Sequence, residues 1–115
     1  MIRLPAVAGR FYPDDPGRLC AAVDSFLASD GEEKKIRARA CLVPHAGYVY
    51  SGNVAGEVYR RIEIPGRVIL LGPRHFPRGA ALAILSDGAW QTPLGMAPID
   101  HLLAEKIVRA FPLLR

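Results

Sequence analysis

Cysteine is scarce in this chain. Cys20 and Cys41 are the two thiols among 115 residues, far apart and in no CxxC arrangement. Without a charged-then-apolar secretory pattern at the N-terminus, that count predicts two buried thiols rather than a disulfide, and a cytoplasmic protein. Long hydrophobic runs are missing too: none approaches the roughly 20 residues of a membrane span, which excludes a membrane partner. Neither GxxxxGK[ST] nor GxGxxG occurs, so a nucleotide phosphate loop has no support. Ser51 follows Tyr48-Val49-Tyr50 and lacks the GxSxG setting of a hydrolase nucleophile. Charge of one sign is not concentrated either. Fifteen Lys and Arg against eleven Asp and Glu leave a net charge of +4. The densest run, Glu32-Glu33-Lys34-Lys35 followed by Arg37 and Arg39, mixes both signs and holds no aromatic residue. It reads as a solvated loop rather than a stacking platform, and nucleic acid is excluded as a partner.

What is present is ordinary globular material with many turn formers. Half of the residues are apolar, 23% are charged, and there are ten prolines and eleven glycines. The length rules out a second full domain and predicts short elements joined by tight turns. Asp15-Pro16 has the form of a helix cap followed by proline at the first helical position. Leu19, Cys20, Val23, Phe26 and Leu27 then recur at helical spacing, which predicts a helix over residues 16–29. Residues 38–43 form a short apolar run ended by Pro44, and residues 68–71 form another ended by Gly72-Pro73. Neither alternates with polar residues, the pattern of central parallel strands covered on both faces. Between them Val54, Ala55, Val58, Tyr59 and Ile62 repeat with helical period, capped by Ser51 or Asn53. Strand, helix and strand in that order predict a right-handed βαβ unit. Residues 80–85 make a third strand. Residues 90–94 make a short fourth, placed at an edge or in a loop because of Pro93. Asp100 caps a last helix carrying Leu102, Leu103, Ile107, Ala110 and Phe111. The expected fold is α/β, a predominantly parallel sheet with flanking helices.

Open parallel sheets bind ligands beyond the carboxyl ends of their strands. His45 lies two residues past the first predicted strand and His75 four past the second. Neighbouring strands are about 4.8 Å apart, so the two imidazoles are expected to converge on one point. Neutral imidazoles suit zinc, copper, iron or nickel, and a catalytic metal usually takes three protein ligands. Asp87, Asp100 and His101 are available as a third by composition, but none follows a predicted parallel strand. Tyr48 and Tyr50 are candidates to line the pocket, or else to pack over a small core. Arg74 is a candidate to hold an anion beside it. Gly47, Gly52 and Gly72 serve backbone geometry. Cys41, inside a predicted buried strand, is expected to be inert.

Four stretches occur in a telling order: Ala8-Gly9-Arg10-Phe11-Tyr12-Pro13, Pro44-His45-Ala46-Gly47-Tyr48-Val49-Tyr50-Ser51-Gly52, Leu71-Gly72-Pro73-Arg74-His75 and Trp90-Gln91-Thr92-Pro93-Leu94-Gly95. They resemble the Memo family, which in bacteria and archaea is protein B of the AmmeMemoRadiSam system, over nearly the whole chain. The resemblance implies an α/β fold like that of class III extradiol dioxygenases. It implies that His45 and His75 line a pocket able to hold a metal, with iron or copper as the cofactor. The family's links to redox chemistry and, in animals, to phosphorylated receptor peptides leave the reaction unsettled.

The chain departs from that pattern in length. It stops at Arg115, so the expectation is a single partial Memo-family domain over residues 1–115, with its C-terminal portion absent. A Glu-His-Ser stretch and the family's late cysteine would lie in that portion, and neither Cys20 nor Cys41 matches the latter. Three functions are expected to compete: a contributor of two histidines to a metal or substrate pocket, a non-haem iron extradiol-type dioxygenase, and a non-catalytic module binding a peptide or anion. The partner would be a small molecule or peptide. An unpaired strand edge and an exposed apolar face should favour self-association, or complementation by the absent portion.

Overall fold

The computed structural model describes residues 1–115 and holds three helices and three short strands. In chain order these are β1 (Ile2–Arg3), α1 (Pro16–Leu27), α2 (Tyr48–Tyr59), β2 (Ala89–Thr92), β3 (Gly95–Pro98) and α3 (His101–Ala110). They fall into two compact units: a helical unit, Pro5–Gly66, and a sheet unit made of Met1–Leu4 with Arg67–Arg115. No helix is long and apolar enough to cross a membrane.

In the helical unit α1 starts where the sequence places it. The Asp15 carboxylate accepts the Arg18 amide at 2.8 Å, and Pro16 needs no partner for a donor it lacks. The helix stops at Leu27, two residues short of the expected end, where Ala28 turns extended. Its apolar face packs on α2, and Leu19 is buried there. The approach is close because α2 presents Gly52 and Gly56 to Phe26. A Cβ on Gly56 would run into the Phe26 carbonyl, and one on Gly52 into its ring. Glycine inside a helix costs about 1 kcal/mol against alanine, and here close helix contact offsets that cost. α2 begins at Tyr48, one turn earlier than expected, with Gly47 as its N-cap. The charged loop does lie at the surface, but it is not wholly solvated. Glu33 and Glu57 both pair with Arg60 and Arg61, at 3.0–3.4 Å, and Ile36 exchanges backbone hydrogen bonds with Arg61 and Glu63.

In the sheet unit β2 lies between β1 and β3. β1 pairs with it in parallel, Ile2 opposite Ala89 and Arg3 opposite Trp90. β3 returns antiparallel after the two-residue turn Pro93-Leu94, with Thr92 opposite Gly95. Thr92 Oγ1 accepts the Leu94 amide and donates to the Gly95 carbonyl, closing that turn. Gly88 has φ +98° and sits against the Met1 carbonyl, so only glycine fits this rung. The Arg3 guanidinium lies 4.7 Å from the centre of the Trp90 ring. α3 is capped as expected, Asp100 Oδ1 accepting the Leu103 amide at 3.0 Å.

The fold is α/β, but its sheet is mixed and small, which corrects the expectation of a predominantly parallel one. Residues 38–43, 68–71 and 80–85 form no strand, and the βαβ unit is not made. The reason is the burial that such strands require. An apolar run becomes a central strand when neighbours take up its amides and carbonyls and cover both faces. Here Leu42, Leu70 and Leu71 are 92%, 82% and 89% exposed. Leu19 and Ala104 are the buried apolar residues. β2 is the central strand of its sheet rather than an edge, because Pro93 falls in the turn beyond it. Both cysteines are free, as expected, but exposed rather than buried, since no sheet covers Cys41. Residues 80–85 do make one strand-like contact. The Arg115 amide donates to the Leu82 carbonyl at 3.1 Å, and the Ile84 amide donates to the Arg115 carbonyl at 2.9 Å.

Candidate functional site

His45 belongs to the helical unit, on the turn that leads into α2. That turn is held from three directions. The Tyr48 amide donates to the Phe11 carbonyl at 2.8 Å, tying it to the segment around Gly9, whose φ is +78° and whose amide reaches the Tyr12 carbonyl. Ser51, buried to 5% exposure, turns its hydroxyl backward and donates to the Ala46 carbonyl at 2.7 Å. Gly47 packs against the Phe11 backbone. The sequence offered Ser51 as a helix cap; the structure makes it the peg of the histidine turn. Its position six residues after His45, inside an apolar helix, is the one sequence signal that could have found it.

The two tyrosines of the motif part company. Tyr48 is half-buried, its ring 5.6 Å from that of Tyr12 and 5.9 Å, edge to face, from that of Phe26. Burial pushes its hydroxyl above the ordinary tyrosine value, with Tyr12 and Tyr59 adding to the rise. It is therefore a neutral donor at any physiological pH. Tyr50 stands on the open side of α2 at 84% exposure.

His75 and Arg74 belong to the sheet unit, in the stretch that leads from Arg67 towards Gly79 without forming a strand. Both are exposed. Arg74 Nη1 donates to the Gly79 and Ala80 carbonyls, at 3.4 Å each, so its guanidinium braces a loop that turns at Gly79 with φ +81°. A backbone role of this kind tells against its use as an anion clamp. Asp100 is a cap: the Leu103 amide, followed by the Arg67 guanidinium 2.6 Å away, holds its carboxyl below the usual range. His101 opens α3 at the surface.

The structure groups His45, Tyr48 and Tyr50 in one unit, and Arg74 and His75 in the other. No group of three or more His, Cys, Asp or Glu side chains that could hold a metal ion is present. The 115 residues therefore do not by themselves make a three-ligand metal centre, although imidazole is the right donor for iron or copper. A separate cavity of about 350 Å3 lies in the helical unit between Leu27, Tyr59 and Ile64, with Glu33, Lys35 and Arg60 at its polar side. None of His45, Tyr48 and Tyr50 lines it. Arg60 turns three of its nitrogen–oxygen contacts to Ala28, Glu33 and Glu57, while its buried Nε has no hydrogen-bond partner.

The motifs around these residues match known proteins over almost the whole chain. A family model described as Memo-like protein matches residues 3–115. A MEMO1 family protein of Aquifex aeolicus is 50% identical over 108 residues, covering 94% of this chain and 40% of the relative. One from Methanothermobacter thermautotrophicus is 40% identical over 121 residues, covering 95% of this chain and 43% of its own. One from Pyrococcus abyssi is 41% identical over 113 residues, covering 95% and 38%. The chain thus spans about 40% of the length of the curated relatives it matches. On the strength of a match that runs through both histidine motifs and both units, this chain belongs to the Memo family.

Proposed function

We propose that the chain contributes two histidines, His45 and His75, to a metal or substrate pocket of a Memo-family protein, and that family sequence beyond these 115 residues completes that pocket. The observation that carries this reading is the construction of the His45 turn. An exposed imidazole there sits on backbone fixed by the Phe11 carbonyl, the buried Ser51 hydroxyl and the packed Tyr48 ring. Rigid backbone beneath an exposed imidazole is what a binding residue needs and what an ordinary surface histidine does without. Iron or copper is the metal such a pocket would take, because imidazole suits both. The rest of the domain is the proposed partner, joined to this chain or supplied to it, since the exposed apolar side chains of Leu42 and of residues 68–71 lack a cover within either unit.

The test is titration of Fe(II) and of Cu(II), followed calorimetrically, into the chain extended beyond Arg115 by the corresponding residues of the Aquifex aeolicus relative, and into its His45→Ala and His75→Ala variants. Each substitution should weaken binding by at least about tenfold, the least that loss of even a ligand-supporting residue costs a metal site. Affinity unchanged by both substitutions removes the histidines from the site.

A further inference from the structure

The two hydrogen bonds at the chain end define a register. The Arg115 amide donates to the Leu82 carbonyl and the Ile84 amide donates to the Arg115 carbonyl. One residue that donates to the carbonyl of one neighbour and accepts from the amide two positions further on is the repeating unit of a parallel ladder. The residue it pairs with is Ala83. Residues 80–85 also carry the apolar composition of a strand, an observation about side chains that owes nothing to those backbone contacts. Yet no strand forms there, and Leu82 remains 46% exposed.

We infer that residues 82–86 of the sheet unit are the receiving edge for a parallel β-strand. Its occupant is the stretch of family sequence that follows the position of Arg115 in the longer relatives. The length of those relatives, of which this chain spans about 40%, supplies such a stretch, and Arg115 already holds its first rung. This rests on the reading that further family sequence completes the domain, but it involves neither histidine and no metal. Parallel geometry fixes the next rung. The second residue beyond Arg115 donates to the Ile84 carbonyl and accepts from the Ser86 amide, while the Leu85 amide faces the opposite side. Strand addition of this kind draws its affinity from main-chain hydrogen bonds and its register from alternate side chains.

The experiment joins to Arg115 the residues that follow the equivalent position in the Aquifex aeolicus relative, and reads amide hydrogen exchange along residues 82–87 with and without the extension. The expected result is exchange at Ser86 slowed at least about tenfold by the extension, and not by a scrambled extension of the same composition. Circular dichroism with and without the extension checks that the chain stays folded. Unchanged exchange at Ser86 in a folded, extended chain overturns the inference. So does Ser86 protection that appears in the unextended chain as its concentration rises, because the occupant is then a second copy. Metal titration of the same extended chain keeps the two readings apart. Protection at Ser86 with no histidine-dependent metal binding fails the pocket alone, and the reverse outcome fails the edge alone.

Discussion

The helical unit and the sheet unit are built by different means. In the helical unit, side chains decide the geometry: an aspartate caps α1, a serine pegs the His45 turn, and two absent Cβ atoms let Phe26 into α2. In the sheet unit the backbone decides it. Residues from the start of the chain pair in parallel with β2, about three quarters of the chain away, and the positive φ of Gly88 makes room for the Met1 carbonyl. A unit fixed by side chains is sensitive to single substitutions at its contacts. One fixed by backbone pairing is sensitive to a missing neighbour, and the apolar exposure of residues 68–71 and 82 lies there.

The largest effect expected from this contrast is at Gly56. Gly56→Leu forces a side chain into the Phe26 backbone and should cost about 3 kcal/mol or more, read as a lower urea midpoint with loss of slow-exchanging amides in α1 and α2. A cost below about 1 kcal/mol would show that the two helices can slide apart freely, and that the contact does not define the unit. Next come the adjacent tyrosines. Tyr48→Ala should cost about 2 kcal/mol, less than a fully buried aromatic because the ring is half-covered, whereas Tyr50→Ala should stay within about 0.5 kcal/mol. Equal effects at both positions would contradict the packing of Tyr48.

Acid should act on the sheet unit through Asp100. Its carboxyl is held below the ordinary range by the Leu103 amide and by Arg67, so its support of α3 is complete above that range. The support is lost as pH falls through the lowered folded value. The Leu103 amide shift, followed by NMR from pH 6 downwards, should move at a pH below that of an unperturbed aspartate. A midpoint at or above the ordinary value contradicts the cap. The smallest effect is expected at Arg109, which pairs with Glu105 one turn away on an exposed face. Arg109→Ala should change stability by roughly 0.3–0.5 kcal/mol in low salt and by nothing measurable in high salt.

The same contrast explains what was legible in the sequence. Caps and helical periodicity are local, so Asp15-Pro16 and Asp100 located α1 and α3 to within two residues. The start of α2 was missed because Gly47 carries no side chain to announce a cap, and Ser51 points backward. β1 was invisible: two residues have no periodicity, and their pairing partner is remote. β3 was missed because Gly95-Met96-Ala97-Pro98 has the composition of a loop and owes its pairing to the Pro93-Leu94 turn. The composition of the apolar runs 38–43 and 68–71 predicts strands, but composition specifies only that a strand could be buried. It takes neighbours on each side to make one. Of the candidate site, the motif order identified the family and proposed His45 and His75. The anchoring of the His45 turn by Phe11 emerged from a contact between segments about forty residues apart, and its anchoring by Ser51 from a hydroxyl turned back to the Ala46 carbonyl.

The glycine face of α2 carries a warning for anyone who surveys variants of this protein. Every replacement of Gly56 adds at least one carbon where the Phe26 carbonyl already stands, and the same holds at Gly52 against the ring. Both positions would therefore score as intolerant in any growth-based or abundance-based screen, as a residue in direct contact with a ligand would. They also lie on the helix that begins three residues after His45, where intolerance invites a chemical explanation. Comparing soluble yield with ligand affinity separates the two cases: the glycines should fail on yield before any binding is measured, while His45 should fail on binding with its yield intact.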